Sequence, residues 1–591
     1  MTLSDNLLFL EKAGLISLAA VRPEPEFTFR HALVQQAAYN TYLKSQRRMV
    51  HQVIAEVVEQ AQAGTALPEA QATDLAYHYF EAGNWAKAMA YARLAAERAQ
   101  ARYASHEAVL HFSLALEAAA QLNAPPPLEL LRSRGQAYEV LGDFERAQAD
   151  FAAALEQARA AGEWQIEWQV LLDLGLLWAS RDYKRTGEYY RQALQLAQAM
   201  GDEAVLAHSL NRLGNWHFNA GENMAALDYH QEALGIFKRL EARRGLAETY
   251  DLLGMVQTVS GQMRQGHTSY EHAVALFREQ DDRVGLVSSL ATLAEQGPSL
   301  HTDTAAHRAP IAEAREHGRL AVQIARQIGF RAGEAYALCS LANLVLQQGD
   351  YAEALPDIRA AMRIADEIGH RQWQAFSVSL YGMACLALFR FEEAYQHLEP
   401  AYAIALEINS AIWIAGTKAM LVLSYLEQGE PDKAEALLRQ HPTRKDALSL
   451  HERLLAIARA QLALVQGQAA QALEITQDLI ENTPEYQPGV VIPRLWHVRG
   501  LALAAQGQTA EGIADLQAAC TASLRQGTRP QVWRIQLELA RLYEEQGRPA
   551  EAEAERAAAQ ALVESLAANV PDPTWREHFR QQALAKFQGI H

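Results

Sequence analysis

The amino-acid sequence predicts an all-α chain in which one helical hairpin is repeated along most of the length. The 591 residues contain 34 glycines and 19 prolines, which is few for such a chain and favours long helices over turns. Small or compact side chains recur about every 40 residues. They stand at Gly135, Gly175, Gly214, Gly254, Ala294, Ala342, Gly382, Val422, Ala460, Gly500 and Ala540. Because one hairpin cannot bury its apolar face alone, this period predicts that neighbouring hairpins stack into an α-solenoid.

Each repeat places its residue types in the same order, as the repeat around Gly214 illustrates. His217 is a bulky residue of the first helix, Gly221 marks the turn, and Ala226 and His230 belong to the second helix. Small residues let antiparallel helices approach closely, bulky ones fill the space between them, and glycine supplies the positive φ of the turn. This order resembles the tetratricopeptide repeat, whose usual period is about 34 residues. The resemblance implies a right-handed superhelix with a concave groove lined by the first helix of every hairpin.

The first 60 residues do not follow the period. The segment LLFLEKAGLISLAA predicts a helix, the alternation of Phe27 and Phe29 predicts a short extended segment, and two further helices follow. The string FTFRHALVQQAAYNTYL, followed by RRMVHQVIAEVVE, is similar to one bacterial junction. It joins the winged-helix module of STAND-class signalling ATPases to their tetratricopeptide arrays, in cyclase-coupled ATPases and maltose-activator-like regulators among others. The residues that carry the resemblance are Phe29, Arg30, His31, Tyr39, Arg47, Arg48 and His51.

The resemblance and the period together predict four regions. We expect a partial winged helix over residues 1–60, a helical tetratricopeptide-like linker over 61–124, about eleven long hairpins over 125–570, and a capping helix over 571–591. The interval between Ala294 and Ala342 is longer than the others, which places an insertion near Gln296–Pro310. A proline-rich connector follows at Asn482–Pro493. Each of these two segments is explained as a tolerated insertion, a hinge or a loop that contacts a partner. We expect the segment near Gln296–Pro310 to mark a weak interface between hairpins.

Composition and motifs argue against several functional classes. The net charge of −17 repels phosphate backbones, so we expect no direct nucleic-acid binding. The three cysteines form no CxxC pair, and no GxxxxGK[ST] loop, GxSxG motif or kinase motif is present. His301, Asp303 and His307 could meet in the insertion, but no fourth metal ligand is evident. We therefore expect no catalysis, no metal and no cofactor.

The sequence also predicts a cytoplasmic protein. No basic segment precedes an apolar one at the N-terminus, and the most apolar later stretch, Ala411 to Leu426, is too short to span a membrane and contains Lys418. We therefore expect no signal peptide and no contact with a membrane.

The candidate ligand-binding residues come from the positions that face the groove in such repeats. In the Gly214 repeat, Asn211, Asn215 and Asn219 form an i, i+4, i+8 row, and His208 precedes them. An asparagine amide can pair with an extended peptide backbone without reading its sequence. Neighbouring repeats contribute Arg132, Gln136, Glu248, Asp251 and Asn343. An alternative interpretation is that these residues are ordinary polar surface that faces water and binds no ligand.

Two other surfaces remain open as alternatives. The position of Asn215 is occupied in other repeats by apolar residues, which suits an amphipathic helix or packing within a tightly wound superhelix. These residues are Leu176, Met255, Met383, Leu423 and Leu501. An aromatic pocket near Trp164, Trp168 and Trp178 would suit a small effector molecule, although tryptophans at helical spacing are more often core.

We therefore expect a non-catalytic scaffold that captures a protein or peptide in its concave groove. By the resemblance it would act as a sensor or regulatory module in a bacterial signalling or transcription-regulating system, with a separate ATPase or cyclase chain as a possible second partner. The alternatives are an array that senses a small effector, as in maltose-activator-type regulators, and the C-terminal fragment of an ATPase or nucleotidyl cyclase.

Overall fold

The computed structural model describes residues 2–20, 26–61, 69–123, 125–179, 181–440 and 449–587. Residues 62–68 of the expected linker and 588–591 of the expected capping helix lie outside this set. The chain is 82% helical, with 29 α-helices and a single two-stranded sheet in the described part. The all-α solenoid predicted from the sequence is confirmed. The chain divides into two compact units, Met1–Ala137 and Tyr138–His591.

The first unit begins with the only strands of the described residues. It contains α1 Leu3–Lys12, β1 Ile16–Ala20, β2 Glu26–Phe29, α2 Ala32–Asn40, α3 Lys44–Ala61, α4 Glu69–Ala82, α5 Trp85–Ala101 and α6 Ser105–Gln121. The two strands are antiparallel, with Ile16 opposite Phe29. The helix expected up to Ala20 is therefore wrong beyond Lys12. Gly14 has a φ of +74°, which ends the helix and lets the chain turn into β1.

Two helices, α7 Leu128–Val140 and α8 Phe144–Ala161, come next along the chain, and Gly135 lies on α7. Paired helices then continue to the end of the described chain. The pairs are α9 Trp164–Ala179 with α10 Tyr183–Met200, α11 Glu203–Asn219 with α12 Asn223–Arg239, α13 Arg243–Val259 with α14 Met263–Glu279, α15 Arg283–Glu295 with α16 Ile311–Gln327, α17 Arg331–Gln347 with α18 Tyr351–Glu367, α19 Arg371–Ala387 with α20 Phe391–Ile408, α21 Ala411–Glu427 with α22 Pro431–Gln440, α23 Leu450–Val465 with α24 Ala469–Glu481, α25 Pro493–Ala505 with α26 Thr509–Arg525, and α27 Arg529–Glu545 with α28 Pro549–Ala568. A last helix, α29 Pro573–Phe587, follows them. Each of the other ten recurring small or compact residues lies on the first helix of its pair.

A ring of the second helix packs against the small residue of the first helix in several hairpins. A Cβ atom added at Gly175 would lie 2.2 Å from Cε1 of Tyr190, and one added at Gly254 would lie 2.8 Å from the ring of Tyr270. At Gly214 the ring is that of His230, at 2.8 Å. Real Cβ atoms do not approach other atoms so closely, so each glycine is required by the ring that covers it.

Contacts within the second unit reach far beyond neighbouring hairpins. The hydroxyl of Tyr183 is hydrogen-bonded to the amide of Gln372, 189 residues later. Ser410 Oγ donates to the backbone oxygen of Asn219 at 3.3 Å, 191 residues away, and His578 Nε2 lies 3.0 Å from the backbone oxygen of Phe389, 189 residues away. At about 40 residues per hairpin, the hairpins make one superhelical turn in roughly five repeats, and successive turns touch.

The connector at Asn482–Pro493 takes part in this contact between turns. The carboxylate of Glu485 accepts hydrogen bonds from the backbone nitrogens of Arg264 and Gln265, at 2.9 and 3.2 Å. These nitrogens belong to the first turn of α14, where no intrahelical acceptor is available. Glu485 therefore caps the N-terminus of a helix more than 200 residues away. Its negative charge is favourable there because the N-terminus is the positive end of the helix dipole.

The insertion near Gln296–Pro310 is buried, which corrects the expectation of a weak interface. It contains a short 3₁₀ helix, His301–Thr304. Asp303 is 1% exposed and lies 3.1 Å from Nη1 of Arg308 and 2.7 Å from Nη2 of Arg494. Arg453 donates to the backbone oxygen of Thr304 at 3.2 Å. The insertion, which follows α15, is therefore tied to α23 and α25, and sequence spacing alone could not show this.

The ring contact at Gly175 leads to a first prediction. Replacing Gly175 with Ala should lower the free energy of unfolding by roughly 1–3 kcal/mol, because the methyl group overlaps the Tyr190 ring. Thermal unfolding followed by circular dichroism measures the change. Gly235 is the matched control: it lies inside α12 with nothing within 4 Å of an added Cβ. There alanine should be neutral or stabilising by about 0.5–1 kcal/mol. Equal effects of the two variants would contradict this account of the hairpin.

The buried Asp303 leads to a second prediction. Asp303→Asn leaves two arginines without their counter-charge, so we expect a loss of about 3–5 kcal/mol, measured by denaturant unfolding. Asp281→Asn is the control, because Asp281 is 92% exposed in its pair with Arg283. The same burial should protect the wild-type insertion from limited proteolysis. Early cleavage between residues 296 and 310, or an Asp303→Asn variant as stable as the control, would show that the insertion does not tie the helices together.

Candidate functional site

The candidate site is the inner surface of the second unit, which we define as the groove side of the first helices α9 to α21. From α11 to α21, first helices of successive hairpins contact one another directly. The inner radius of a superhelix is smaller than its outer radius, so helices on the inner side lie closest to one another. The side of the first helices that packs against no other helix therefore lines the groove.

The structure corrects the predicted role of Asn211. This residue is 2% exposed, and both ends of its amide are engaged. Nδ2 donates to Thr249 Oγ1 at 2.7 Å, and Oδ1 accepts from Nδ1 of His230 at 3.1 Å. The amide therefore links α11 to α12 and α13 and presents no free group to a ligand. The helical spacing correctly predicted that Asn211, Asn215 and Asn219 share one face of α11. It did not predict that α12 and α13 pack over Asn211.

The other predicted asparagines differ from one another. Asn219 is buried and donates to the backbone oxygen of Asn215 at 3.0 Å. Asn343 is 1% exposed, with Nδ2 lying 3.2 Å from Nδ1 of His301 in the insertion. Only Asn215 of the predicted row is half-buried rather than buried. The continuous row expected to grip a peptide backbone is therefore not present.

The remaining polar residues form a charged group at His208 and Glu248. Glu248 Oε2 lies 3.6 Å from His208 Nδ1 and 3.8 Å from Arg212 Nη2, and Glu248 Oε1 lies 3.3 Å from Arg244 Nε. Burial raises the pKa of Glu248, but the His208 hydrogen bond and the charge of Arg212 outweigh it and lower the pKa to about 2. Glu248 is therefore ionised, with the guanidinium groups of Arg212 and Arg244 beside it.

The predicted residues Arg132 and Gln136 belong to the first unit, where both are half-buried.

Three other carboxyl groups of the first helices have raised pKa values. Burial raises the pKa of Asp251 to about 6, although it accepts a hydrogen bond from Ser289 Oγ at 2.5 Å. Burial raises the pKa of Glu295 to about 7 and that of Glu139 to about 8, and for Glu139 the nearby Asp173 adds to the shift. Of these acids, Asp251 and Glu295 lie on the first helices that define the inner surface, and both resist ionisation in the free protein.

An aromatic cluster, Tyr336, His370, Trp373, Phe376 and Trp413, lies farther along the same helices. The rings of Tyr336 and Trp373 are stacked with centroids 4.5 Å apart, and His370 is stacked on Trp373 at 5.0 Å. Phe376 lies 5.3 Å from Trp413. Tyr336, Trp373 and Trp413 are half-buried, and all three pack against the same buried core.

Sequence reasoning missed this aromatic cluster, although a signal was present. His208 stands six residues before Gly214, and the same position in later repeats holds Tyr336 and Phe376. Reading that position through every repeat would have found both rings.

The structure places the tryptophans of the expected pocket, and the residues of the apolar row, in different surroundings from those that the sequence predicts. Trp168 is buried with its Nε1 donating to Ser209 Oγ at 2.8 Å, Trp164 is 53% exposed, and Trp178 packs edge-on against Phe144. Among the described rings, none of these tryptophans contacts another, so they do not form one pocket. Of the apolar row, Leu423 is buried and Met255 packs against the cluster around Phe218 and Ile412.

The residues considered for a metal are otherwise engaged. His301 stacks on His451 at 4.5 Å, and His307 Nε2 lies 3.1 Å from the backbone oxygen of Glu485. Within the ranges that the structure describes, no group of three or more histidine, cysteine, aspartate or glutamate residues could hold a metal ion.

Comparison with known protein families finds a match for the helical repeat. Residues 415–440 and 533–564 match the profile of the tetratricopeptide repeat family. Two segments of the chain are therefore similar to the tetratricopeptide repeat. No curated protein matches the chain. None of the described helices is both long enough and apolar enough to cross a membrane.

Several solved structures are similar to this chain. A Rap protein complexed with competence and sporulation factor shares 11% identity at a TM-score of 0.41, covering 70% of this chain and 99% of that one. The Cut9–Hcn1 hetero-tetramer of APC/C shares 15% identity at a TM-score of 0.44, covering 91% and 94%. Yeast Tom70 shares 14% identity at a TM-score of 0.32, covering 79% and 97%.

The raised pKa of Glu295 leads to a third prediction. A carboxyl with a raised pKa holds its proton more tightly in the folded state, so its contribution to stability falls as the pH rises from 4.5 to about 7. Glu295→Gln removes this penalty. Relative to wild type, the variant should therefore gain roughly 1–3 kcal/mol between pH 5 and pH 8, measured by denaturant unfolding at both pH values.

Taking the difference from wild type removes the opposite contribution of the buried histidines. Glu279→Gln is the control, because Glu279 is exposed in its pair with Arg243. A stability difference that is the same at both pH values would contradict the raised pKa of Glu295.

Proposed function

We propose that this chain is a non-catalytic tetratricopeptide repeat scaffold that binds an extended segment of a protein partner on its inner surface. The observation that carries the proposal is the aromatic cluster, in which stacked rings on α17 and α19 lead to Trp413 on α21. Rigid aromatic side chains provide large contact area at a low entropic cost, and their polar ends fix a bound chain. Such residues concentrate the binding energy of protein interfaces.

Polar groups next to the cluster support a peptide rather than a purely apolar ligand. The hydroxyl of Tyr336 lies 2.8 Å from Thr292 Oγ1, and Ser340 Oγ donates to Glu295 at 2.8 Å. An extended peptide exposes backbone donors and acceptors along its length, so it needs both apolar contacts and such polar groups.

We further propose a regulatory role in a bacterial signalling or transcription-regulating system. The similarity of residues 1–60 to the junction in STAND-class ATPases supports it, and so does the contact among the residues that carry this similarity. The Arg47 guanidinium lies over the Tyr39 ring at 4.9 Å, and the Tyr39 hydroxyl lies 3.0 Å from Nε2 of His51. On this proposal the array reports its bound partner to an ATPase or cyclase.

A small effector molecule is the second candidate ligand. Trp373 and Trp413 lie edge to face with centroids 6.3 Å apart on successive first helices, which would suit a planar or sugar-like molecule. The two candidates differ in size, because an effector would contact one pair of repeats and a peptide several.

Selection from a random peptide library tests the proposal. The full chain should enrich peptides, and Trp373→Ala with Trp413→Ala should weaken the selected peptides at least ten-fold, as loss of aromatic anchors does at interfaces. Trp164→Ala is the matched control, because Trp164 is exposed at the first residue of α9. Thermal unfolding of all variants checks that they are folded. Failure to enrich any peptide, or equal affinity in the double variant and the control, would refute the peptide-binding proposal.

A further inference from the structure

The first unit exposes an unusual amount of apolar surface near its beginning. More than half of the large hydrophobic side chains exposed in the described chain lie between Leu3 and Val57. Among the side chains described before His51, only that of Ile16 is buried. A segment that buries so little apolar surface has no core of its own to stabilise it. Apolar surface concentrated in this way marks a region that contacts another molecule.

Helix α3 arranges part of this surface as one stripe. Met49, Val53 and Val57 follow one another at intervals of four residues and are 69%, 53% and 60% exposed. Val50 and Ile54 lie beside them and are also exposed. At the helical spacing, the five side chains fall within about 140° of one another around the helix axis. We call these five residues the α3 stripe.

The opposite face of α3 is used inside the first unit. His51 and Ala55 are buried there, and Nδ1 of His51 lies 2.7 Å from Nδ1 of His78 on α4. Both residues lie roughly opposite the centre of the α3 stripe around the helix axis. Helix α3 is therefore held by its inner face, and its exposed face is apolar where a surface helix normally carries polar residues.

The charges of α3 are divided between its two halves. Lys44, Arg47 and Arg48 precede the centre of the stripe at Val53, and Glu56 and Glu59 follow it. Glu59 is paired with a lysine inside the first unit. Arg48 and Glu56 are exposed, and they lie on the same flank of the stripe, about 80° apart around the helix axis.

This division of charge selects an orientation for a second α3 helix packed on the stripe. In a parallel pair, each Arg48 would lie beside the other Arg48, and each Glu56 beside the other Glu56. In an antiparallel pair centred near Val53, Arg48 of each helix would lie within one helical turn of Glu56 of the other. The antiparallel pair is therefore complementary in charge, whereas the parallel pair brings like charges together.

We propose that the α3 stripe binds the α3 stripe of a second copy of this chain, with the two helices antiparallel around a two-fold axis near Val53. Met49 would then pack on Val57 of the second copy, and Val53 on Val53 of the second copy. Every contact is made twice, as in a closed symmetric dimer. The inference is independent of the proposed function, which concerns the aromatic cluster of the second unit.

Sedimentation of the full chain over a series of concentrations tests the association. An interface of one helix pair is small, so the dimer should dissociate in the micromolar range. Val53→Glu places two carboxylates against each other on the axis and should raise the dissociation constant roughly a hundred-fold. Leu110→Glu is the matched control, because Leu110 is an exposed apolar residue of α6 in the same unit. Circular dichroism checks that both variants are folded.

Reversal of charge tests the orientation. Arg48→Glu or Glu56→Arg alone places like charges next to each other across the antiparallel pair, so each should weaken the dimer roughly three- to ten-fold. The variant with both changes restores opposite charges and should recover most of the wild-type affinity. A double variant weaker than either single one would show that Arg48 and Glu56 do not meet across the interface.

Introduced cysteines give a second measure of the orientation, because the three natural cysteines are buried. Val53→Cys should form a disulfide-linked dimer under mild oxidation. Met49→Cys should not, because the two introduced sulfurs would be about eight residues, or roughly 12 Å, apart along an antiparallel pair. An equal mixture of Met49→Cys and Val57→Cys chains should form the linked dimer.

The remaining outcomes overturn the inference in distinct ways. A chain that is monomeric at every concentration would leave the α3 stripe to a different protein. A dimer that Val53→Glu does not weaken would place the interface elsewhere on the chain. Cross-linking of Met49→Cys as efficient as that of Val53→Cys would show a parallel pair. None of these results would affect peptide binding at the aromatic cluster, which is measured separately.

Discussion

The contact of one bulky ring with one glycine is the constraint on which the hairpins depend. Where Tyr190 covers Gly175, His230 covers Gly214 and Tyr270 covers Gly254, the first and second helices are close enough to leave no room for a Cβ atom. The ring fills the space between the two helices, so its polar atoms are buried with it. The residue that packs the hairpin therefore also brings a polar atom into the core. This explains why Tyr190 and His230 carry unsatisfied polar atoms within otherwise well-packed hairpins.

Contact between successive superhelical turns adds a second constraint. Nearest-neighbour stacking alone would let such an array flex along its whole length. Here Glu485 caps α14, Arg529 of α27 donates to the backbone oxygen of Gln348, and Phe579 of α29 stacks on Phe389. Each contact joins residues of different turns. Such contacts limit how far the groove can open, so a ligand would meet an inner surface whose shape is largely fixed before binding.

The sequence predicted the repeats well because their cause is local. The spacing of small residue, turn glycine and bulky residue depends only on how two helices pack, and the eleven recurring positions all lie on first helices. The functional residues were harder to predict. The row Asn211, Asn215, Asn219 was correctly placed along one helix, but whether an amide is free depends on Thr249 and His230, which belong to other helices. The helix expected over Ile16–Ala20 was wrong because a short, mostly apolar segment suits a strand as well as a helix.

Contacts across a superhelical turn lie beyond what periodicity can show. Residues about 190 positions apart share no pattern in the sequence, so the pairing of Asp303 with Arg494 could not be expected. The comparison of Asp303 with Glu139 nevertheless shows how the chain distributes its charges. Asp303 is buried between two arginines that neutralise it, as a purely structural acid requires. Burial raises the pKa of Glu139 to about 8, and the nearby Asp173 adds to the shift. A buried acid with a raised pKa lowers the stability of the fold at neutral pH, and binding sites are where proteins commonly give up stability.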